Sequence, residues 1–389
     1  MGSDAPTDRP RAGAPTWAVV VAGLAVCLIV TLSSLAVGPS GRYLENATTQ
    51  ASPTCQKNLQ LATPICHVFV LYLENQEADK VYNASYEHYL ATHYAYAARY
   101  YSVEHYSFPN YVAATAGYVD NWVHPMAWKN IVTLLDNRTP QLHWTAFMQS
   151  MLYPCWRNGT AAYRVDHNPF VWYDNLYDNL TSCRFHDQPF TTWSNDLATG
   201  NLPNYGFFSP NTTNDCWRFG LFGCDRWLRS WLSPLVNDSS FANSVWFITY
   251  DEGWSNDTAS TNGTVGGGHV YTAAVSPYAC AGKTSIHPYD AYDLFTTTEW
   301  LLDLPRLGSP NQDNWTADPP MKDLFCFPVG STGGTVPGPS APATLPVAAA
   351  AVRTEERPWA DPGRATHSAR SPEPPKPDSI SCPRSRGPS

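Results

Sequence analysis

Charge is scarce in this 389-residue chain: 15% of residues are charged, and 24 Lys and Arg face 33 Asp and Glu, a formal net charge of −9. A nucleic-acid binder presents a basic stripe that neutralises phosphates, so that class is excluded. A small anionic substrate is not excluded, because a bound metal reverses the field locally. No C-x-x-C pair occurs among the ten cysteines, which argues against a zinc site. There is no internal repeat. Aromatic residues, by contrast, are plentiful: 13% of the chain, with 15 Trp and 22 Tyr. That much apolar surface excludes global disorder, and the length suffices for one large or two medium domains.

Residues 17–37 carry no charge; as a helix rising ~1.5 Å per residue they span roughly 30 Å, a bilayer core. Arg9 and Arg11 precede the run, and Ser34-Leu35-Ala36 forms a small-x-small cleavage pattern. The segment reads as a membrane anchor or a long signal peptide, placing the body on the extracellular face of the membrane or in the medium. Ten N-x-S/T sequons, at Asn46, Asn83, Asn137, Asn158, Asn179, Asn211, Asn237, Asn256, Asn262 and Asn314, agree with export. Eight cysteines outside the apolar run and the tail form an even set in that oxidising context. They admit on the order of 100 connectivities; proximity in sequence favours Cys55–Cys66, Cys155–Cys183, Cys216–Cys224 and Cys280–Cys326.

The expected organisation is an anchor or signal at 1–38, a stalk at 39–54, a catalytic body at 55–328 and a disordered Pro/Ala/Gly-rich tail at 329–389, where 12 of the 34 prolines fall after Gly330. Within the body, apolar runs at 67–73, 144–148, 205–208, 244–250 and 270–275 predict strands. Residues 78–96, 128–135, 227–236 and 290–302 have helix-like patterns. Strands alternating with helices imply an α/β domain on a mainly parallel sheet.

Two acidic clusters, Glu74-Asn75 and Asp251-Glu252, directly follow two of the predicted strands. Ligands of open α/β sheets bind beyond the carboxyl ends of the strands. If the two strands are parallel and central, three carboxylates and an amide oxygen converge there and call for a cation. Oxygen ligands suit Mg, Ca or Mn, and a nearby histidine admits Zn or Fe. The bland alternative is that each acidic pair caps a following helix. Ser107 adds a hydroxyl on a turn before a short helix whose free N–H groups favour an anion. A serine beside a metal can lose its proton and attack phosphorus. The same segment also fits an ordinary turn, with Pro109 setting the angle and Asn110 bonding the backbone.

Taken in order, the motifs resemble a known family. Glu74-Asn75 with Asp79 is similar to E-N-x-x-x-D, and the segment from His105 through Ser107 to Tyr111 is similar to H-P-S-x-P-N-Y. His167-Asn168-Pro169-Phe170, Ser209-Pro210-Asn211 with Asn214-Asp215, Thr249-Tyr250-Asp251-Glu252, Gly268-His269-Val270 and Tyr289-Asp290-Ala291-Tyr292 follow. The series, spanning residues 66–308, resembles the phosphoesterase family that groups certain acid phosphatases with phosphatidylcholine-type phospholipases C. The resemblance implies an α/β, alkaline-phosphatase-like sandwich with a mainly parallel central sheet flanked by helices. It also implies hydrolysis of phosphate esters with a divalent metal ion. Carried over, Ser107 is the nucleophile; His105 and His269 are donors or proton shuttles; and His167 protonates the leaving alkoxide. Glu74, Asn75, Asp251 and Glu252 are metal ligands or their neighbours. Asn110, Asn211, Asn214 and Asp215 line the substrate site, and a buried Asn211 would leave its sequon unoccupied.

The chain departs from that pattern where N-D-x-H-D is expected: Trp217 stands in place of the histidine and Arg218 in place of the second acid. Tyr106 replaces the proline before Ser107. The leading expectation is an exported, membrane-tethered monoesterase of acid-phosphatase type. A phospholipase C acting on lipid headgroups is the enzymatic alternative, with Trp122, Trp128, Trp156, Trp172 and Trp217 as candidate interface contacts. A non-catalytic glycoprotein that keeps the fold is the alternative from another class, and Trp217 is the feature in its favour.

Overall fold

After the leading histidine, His67–Leu73 (β1) carries only apolar or aromatic side chains, and in the computed structural model it forms a strand buried from Val68 onward. A run without polar alternation needs cover on both faces, the condition of a central parallel strand. The structure describes residues 53–121, 123–218, 220–259, 266–307 and 319–327. The expected anchor, most of the stalk and the tail lie outside the described residues, as do the sequons at Asn46, Asn262 and Asn314. Among the described residues, no helix is long and apolar enough to cross a membrane.

The further strands are β2 (Ala95–Ala97), β3 (Tyr100–Tyr101), β4 (Trp144–Met148), β5 (Asp187–Pro189), β6 (Tyr205–Ser209), β7 (Ser244–Tyr250), β8 (His269–Val270), β9 (Thr272–Val275), β10 (Thr284–Ser285) and β11 (Tyr289–Asp290). Eight of them make one sheet in the order β10-β2-β9-β7-β1-β6-β4-β5. All pairings in it are parallel except the two made by β9. A small second sheet has the order β11-β3-β8. This is the mainly parallel α/β architecture expected, with helices flanking the sheet.

Five helices matter for the site: α1 (Ala78–Tyr82), α2 (Ser85–His93), α3 (Ser107–Ala116), α4 (Gly220–Val236) and α5 (Ala291–Leu301). Every residue of α3 from Phe108 to Ala116 is buried, and Gly117 ends the helix in the left-handed region, its N–H donating to the Ala113 carbonyl. α5 starts on a capping box in which the Asp290 carboxylate accepts from Tyr292 and Asp293 N–H. α4 carries Pro234 two residues before its end, so the missing N–H leaves the Ser230 carbonyl without its helical donor only where the helix is about to stop.

Three sequence expectations change. Residues 78–96 are not one helix: Asn83 and Ala84 separate α1 from α2, and the chain turns into β2 at Ala95. Residues 270–275 split at Tyr271, with Val270 pairing in the small sheet and Thr272 onward in the large one. The helix expected at 128–135 begins at Ile131, where the Asn130 side chain caps Val132 and Thr133 N–H. The four cysteine pairs favoured by proximity are the four disulfides among the described residues.

Candidate active site

β1 and β7 are parallel neighbours, with Leu73 in register with Tyr250. The next residues, Glu74 and Asp251, therefore leave the same edge of the sheet side by side, both buried. Asn75 N–H donates to Asp251 Oδ1 at 2.7 Å, and Glu74 N–H donates to the Asp215 carbonyl at 2.7 Å. The turn after β6 thus brings Asp215 to the same place. Neither acidic pair caps a helix: the residue before α1 is Glu77, whose Oε1 instead accepts the N–H groups of Trp254 and Ser255.

Ser107 opens α3, and its hydroxyl donates to Glu74 Oε2 at 3.2 Å. The preceding Tyr106 has φ 79°, a left-handed conformation that costs a non-glycine residue about 1–3 kcal/mol. The Glu252 carboxylate holds this turn: its Oε2 accepts Tyr106 N–H at 3.1 Å and His105 Nδ1 at 2.9 Å. His105 Nε2 donates to Asn256 Oδ1 at 2.8 Å, so both ring nitrogens face acceptors, the pattern of an imidazolium. Partial burial lowers the His105 pKa, but the bonds to Glu252 and Asn256 outweigh it and leave the pKa raised. The Gly266-Gly267-Gly268 run closes against the same turn. A Cβ on Gly267 would sit 2.0 Å from the Glu104 carbonyl oxygen, and Gly268 has φ 97°.

Glu74 is the most connected of the acids. Its Oε1 accepts the Tyr111 hydroxyl at 2.7 Å and lies 3.2 Å from His167 Nδ1. Burial, then the neighbouring Asp251 and Asp215 carboxylates, push its pKa well above the usual range against the Tyr111 bond. Asp251 is raised by burial and by Glu252. Asp215 is raised to about 6 by burial, although Trp217 and Arg218 N–H oppose it. Asp251 Oδ2 and Asp215 Oδ2 are buried without a hydrogen-bond partner. Orphaned oxygens on mutually repelling carboxylates are what a hard divalent cation satisfies, so the donor set fits one. The two groups of three ligand-type side chains whose donor atoms lie within 4.8 Å of one another among the described residues, Glu87 with Cys216 and Cys224, and Asp187 with Cys155 and Cys183, each contain a disulfide whose sulfurs are already bonded, and the Glu74, Asp251 and Asp215 carboxylates are spaced more widely than that.

The structure redistributes several expected roles. Glu252, expected among the metal ligands, commits Oε2 to His105 and Tyr106, while its Oε1 makes no hydrogen bond among the described residues. His167, expected to protonate a leaving group, is buried and stacked on Tyr111 at 5.3 Å between ring centroids. Burial lowers its pKa to about 4, so it is neutral near pH 7 and positions Glu74. His269 Nε2 donates to the Ala98 carbonyl at 2.8 Å, and its ring lies against Tyr101 in the small sheet. Asn110, expected to bind substrate, uses all its hydrogen-bonding capacity on the 103–106 turn. Its Oδ1 accepts Val103 and Glu104 N–H, and its Nδ2 donates to the Glu104 and Tyr106 carbonyls. Asn211 and Asn214 brace the turn before Asp215 through Ser150 and Gln149. Asn211 is half-buried rather than buried. Of the tryptophans expected at an interface, Trp156 is buried, Trp172 half-buried, Trp128 and Trp217 exposed, and Trp122 lies outside the described residues. Arg164 is not marked by the sequence, Tyr111 is marked only as part of its motif, and Asn256 only as a sequon. The i, i+4 spacing of Ser107 and Tyr111 on one helix face was the signal for Tyr111.

A family model described as "Phosphoesterase family" matches residues 80–305. An acid phosphatase of Aspergillus fumigatus is 28% identical over 242 residues, 58% of this chain and 54% of that protein. A phosphate-repressible acid phosphatase of Penicillium chrysogenum is 28% identical over 220 residues, 54% of this chain and 52% of that protein. A phosphatidylinositol-3-phosphatase of Mycobacterium tuberculosis is 28% identical over 165 residues, 42% of this chain and 48% of that protein. The chain spans about half the length of these curated relatives. Among solved structures, an alkaline phosphatase superfamily protein from Vibrio parahaemolyticus matches with a TM-score of 0.42 at 12% identity, covering 64% of this chain and 69% of that one.

Proposed function

The chain belongs to the phosphoesterase family, and from that premise we propose that it hydrolyses phosphate monoesters through Ser107 in an exported compartment. The observation that carries this reading is the Ser107 hydroxyl at 3.2 Å from Glu74 Oε2, at the N-terminus of a ten-residue helix and beside Asp251. The free N–H groups of the first turn of α3 favour the phosphate group over Ser107. Glu74, Asp251 and Asp215, with the Asn75 amide beside them, would hold a divalent cation. Such an ion, when bound, favours the Ser107 alkoxide and offsets charge on the phosphoryl oxygens.

Ser107 gives its proton to Glu74 Oε2, which its hydroxyl already faces, and its oxygen bonds to phosphorus as the ester P–O bond breaks, giving a phosphoserine and an alkoxide; the proton returns to the serine oxygen when water displaces it from phosphorus. His105, held as an imidazolium by Glu252 and Asn256, protonates that alkoxide at the exposed rim. It then takes a proton from the water that hydrolyses the phosphoserine. His167 and Tyr111 fix the orientation of Glu74. The four disulfides suit the exported compartment.

The test is p-nitrophenyl phosphate hydrolysis by the full chain across pH 4–9, with and without EDTA. EDTA should abolish turnover, and Ser107→Ala should lower kcat by about 10³-fold or more. A folded, metal-loaded chain without turnover, or one indifferent to Ser107→Ala, overturns the reading. A second reading, hydrolysis of lipid headgroup esters, is favoured by three exposed aromatics next to site residues: Tyr106 (79% exposed), Trp254 (58%) and Trp217 (46%). Faster turnover on micellar lipid than on the soluble ester selects it.

A further inference from the structure

Beside the acidic site lies an open cavity of about 490 Å³, lined by Thr160, Ala161, Arg164, Thr212, Trp217 and Arg218. Two of its walls continue into the site. The Arg164 carbonyl accepts His167 N–H at 3.1 Å, and Trp217 N–H donates to Asp215 Oδ1 at 3.0 Å. Trp217 and Arg218 are two of the three positions at which the chain departs from the pattern it resembles. Neither side chain enters the carboxylate cluster; both face this cavity instead.

The cavity contains an uncompensated cation. Arg164 is bound by Asp166, through Nε at 2.9 Å and a still closer Nη2 contact. The exposed Arg218 guanidinium makes no hydrogen bond or ion pair among the described residues, while its backbone N–H serves Asp215. A free, planar, five-donor cation beside an exposed indole recognises an anion joined to a flat ring. The volume is in the range of sites that take small organic ligands.

We propose that this cavity is the leaving-group subsite, selecting substrates whose leaving group carries a second anionic group and a planar ring, the chemistry of a nucleoside diphosphate. The inference rests on the Ser107 reading for the position of the transferred phosphoryl group. Arg218 meets the second anion, and Trp217 offers its face to the ring.

ADP and AMP are a matched pair of probes: both carry the ring, and only the ADP leaving group carries the extra anion. For the full chain, Arg218→Ala should lower the ratio of kcat/KM for ADP over AMP about tenfold. Arg218→Lys should recover part of that ratio. Trp217→Ala should raise KM for both nucleotides together. An equal loss on ADP and AMP in Arg218→Ala overturns the subsite. Calorimetric binding in the Ser107→Ala background separates this inference from the catalytic one. Tighter binding of ADP than AMP, lost on adding Arg218→Ala, supports the subsite even if Ser107→Ala still turns over. Equal binding of the two nucleotides overturns it even if Ser107 proves to be the nucleophile.

Discussion

Asn110 shows how a single buried side chain can hold the turn that leads into a site. Its amide oxygen accepts two backbone N–H groups and its amide nitrogen donates to two carbonyls, all within the turn that presents His105 and Tyr106. Tyr106 is held at positive φ in that turn, so the bonds made by Asn110 and Glu252 work against local strain. Asn110→Ala would leave buried donors and acceptors unmet, and should cost about 2–4 kcal/mol in urea unfolding. It should also lower kcat, because the turn leads directly into Ser107. Asn110→Asp keeps the two acceptor bonds but sets a buried carboxylate oxygen against the Glu104 and Tyr106 carbonyls, so its unfolding midpoint should fall well below wild type at neutral pH and recover in part as pH drops. A wild-type midpoint for Asn110→Ala would mean that the turn holds itself.

At the scale of elements, β5 carries a carboxyl into the sheet edge beside β4. Asp187 is fully buried, with Asn168 Nδ2 donating to both its oxygens at 3.0 and 3.1 Å. Burial pushes its pKa up to about 8, with Asn168 and Arg157 opposing. The unfolded chain releases this proton near pH 4, so between pH 4 and 8 the folded state binds more protons than the unfolded one. Its contribution is present in full below the unfolded pKa and is lost as pH rises, by at most about 1.4 kcal/mol per pH unit. Asp187→Asn should therefore gain stability relative to wild type between pH 5 and 8 in urea titrations. Parallel curves would show that Asp187 is ionised in the folded state.

The elements differ in how much of them the sequence revealed. β1 and β7 were legible because their uninterrupted apolar runs end abruptly in acids, and the convergence of Glu74 and Asp251 followed once the strands were parallel neighbours. Strands of two or three residues, such as β2 and β3, carry no periodicity to read. The switch at Tyr271 is a matter of pairing partners rather than side-chain pattern. The same limit applies to the site. Ser107, Glu74 and Asp251, which the structure brings together, are marked in the sequence by residue type and position. What separates Asn110 from its expected role is which hydrogen bonds are already made, and that depends on residues such as Val103 that no motif marks.

Across the whole molecule, two disulfides divide the tasks of stability and site geometry. Cys280–Cys326 joins residues 46 apart, and backbone bonds from Cys280 to Leu324 and from Cys326 to Tyr278 lay the 319–327 segment against the body. There Asp323 accepts the Ser285 and Tyr289 hydroxyls, tying down β10 and β11, and Phe325 packs on Trp300. Closing so long a loop restricts the unfolded chain, so Cys280→Ser with Cys326→Ser should cost about 2–5 kcal/mol. Cys216–Cys224 closes a span of only 8 residues, but it fastens the residue after Asp215 to α4, and the Tyr250 hydroxyl, from the residue before Asp251, lies 3.2 Å from Cys216 Sγ. Its removal should cost less by unfolding and more by catalysis: Cys216→Ser with Cys224→Ser should lower kcat/KM for p-nitrophenyl phosphate at least tenfold at a temperature where the variant is still folded. Unfolding under non-reducing conditions, followed by steady-state kinetics well below each midpoint, checks both. If both double variants lose stability and activity in the same proportion, the site depends on global folding alone, and the link from Cys216 to Asp215 carries no catalytic geometry.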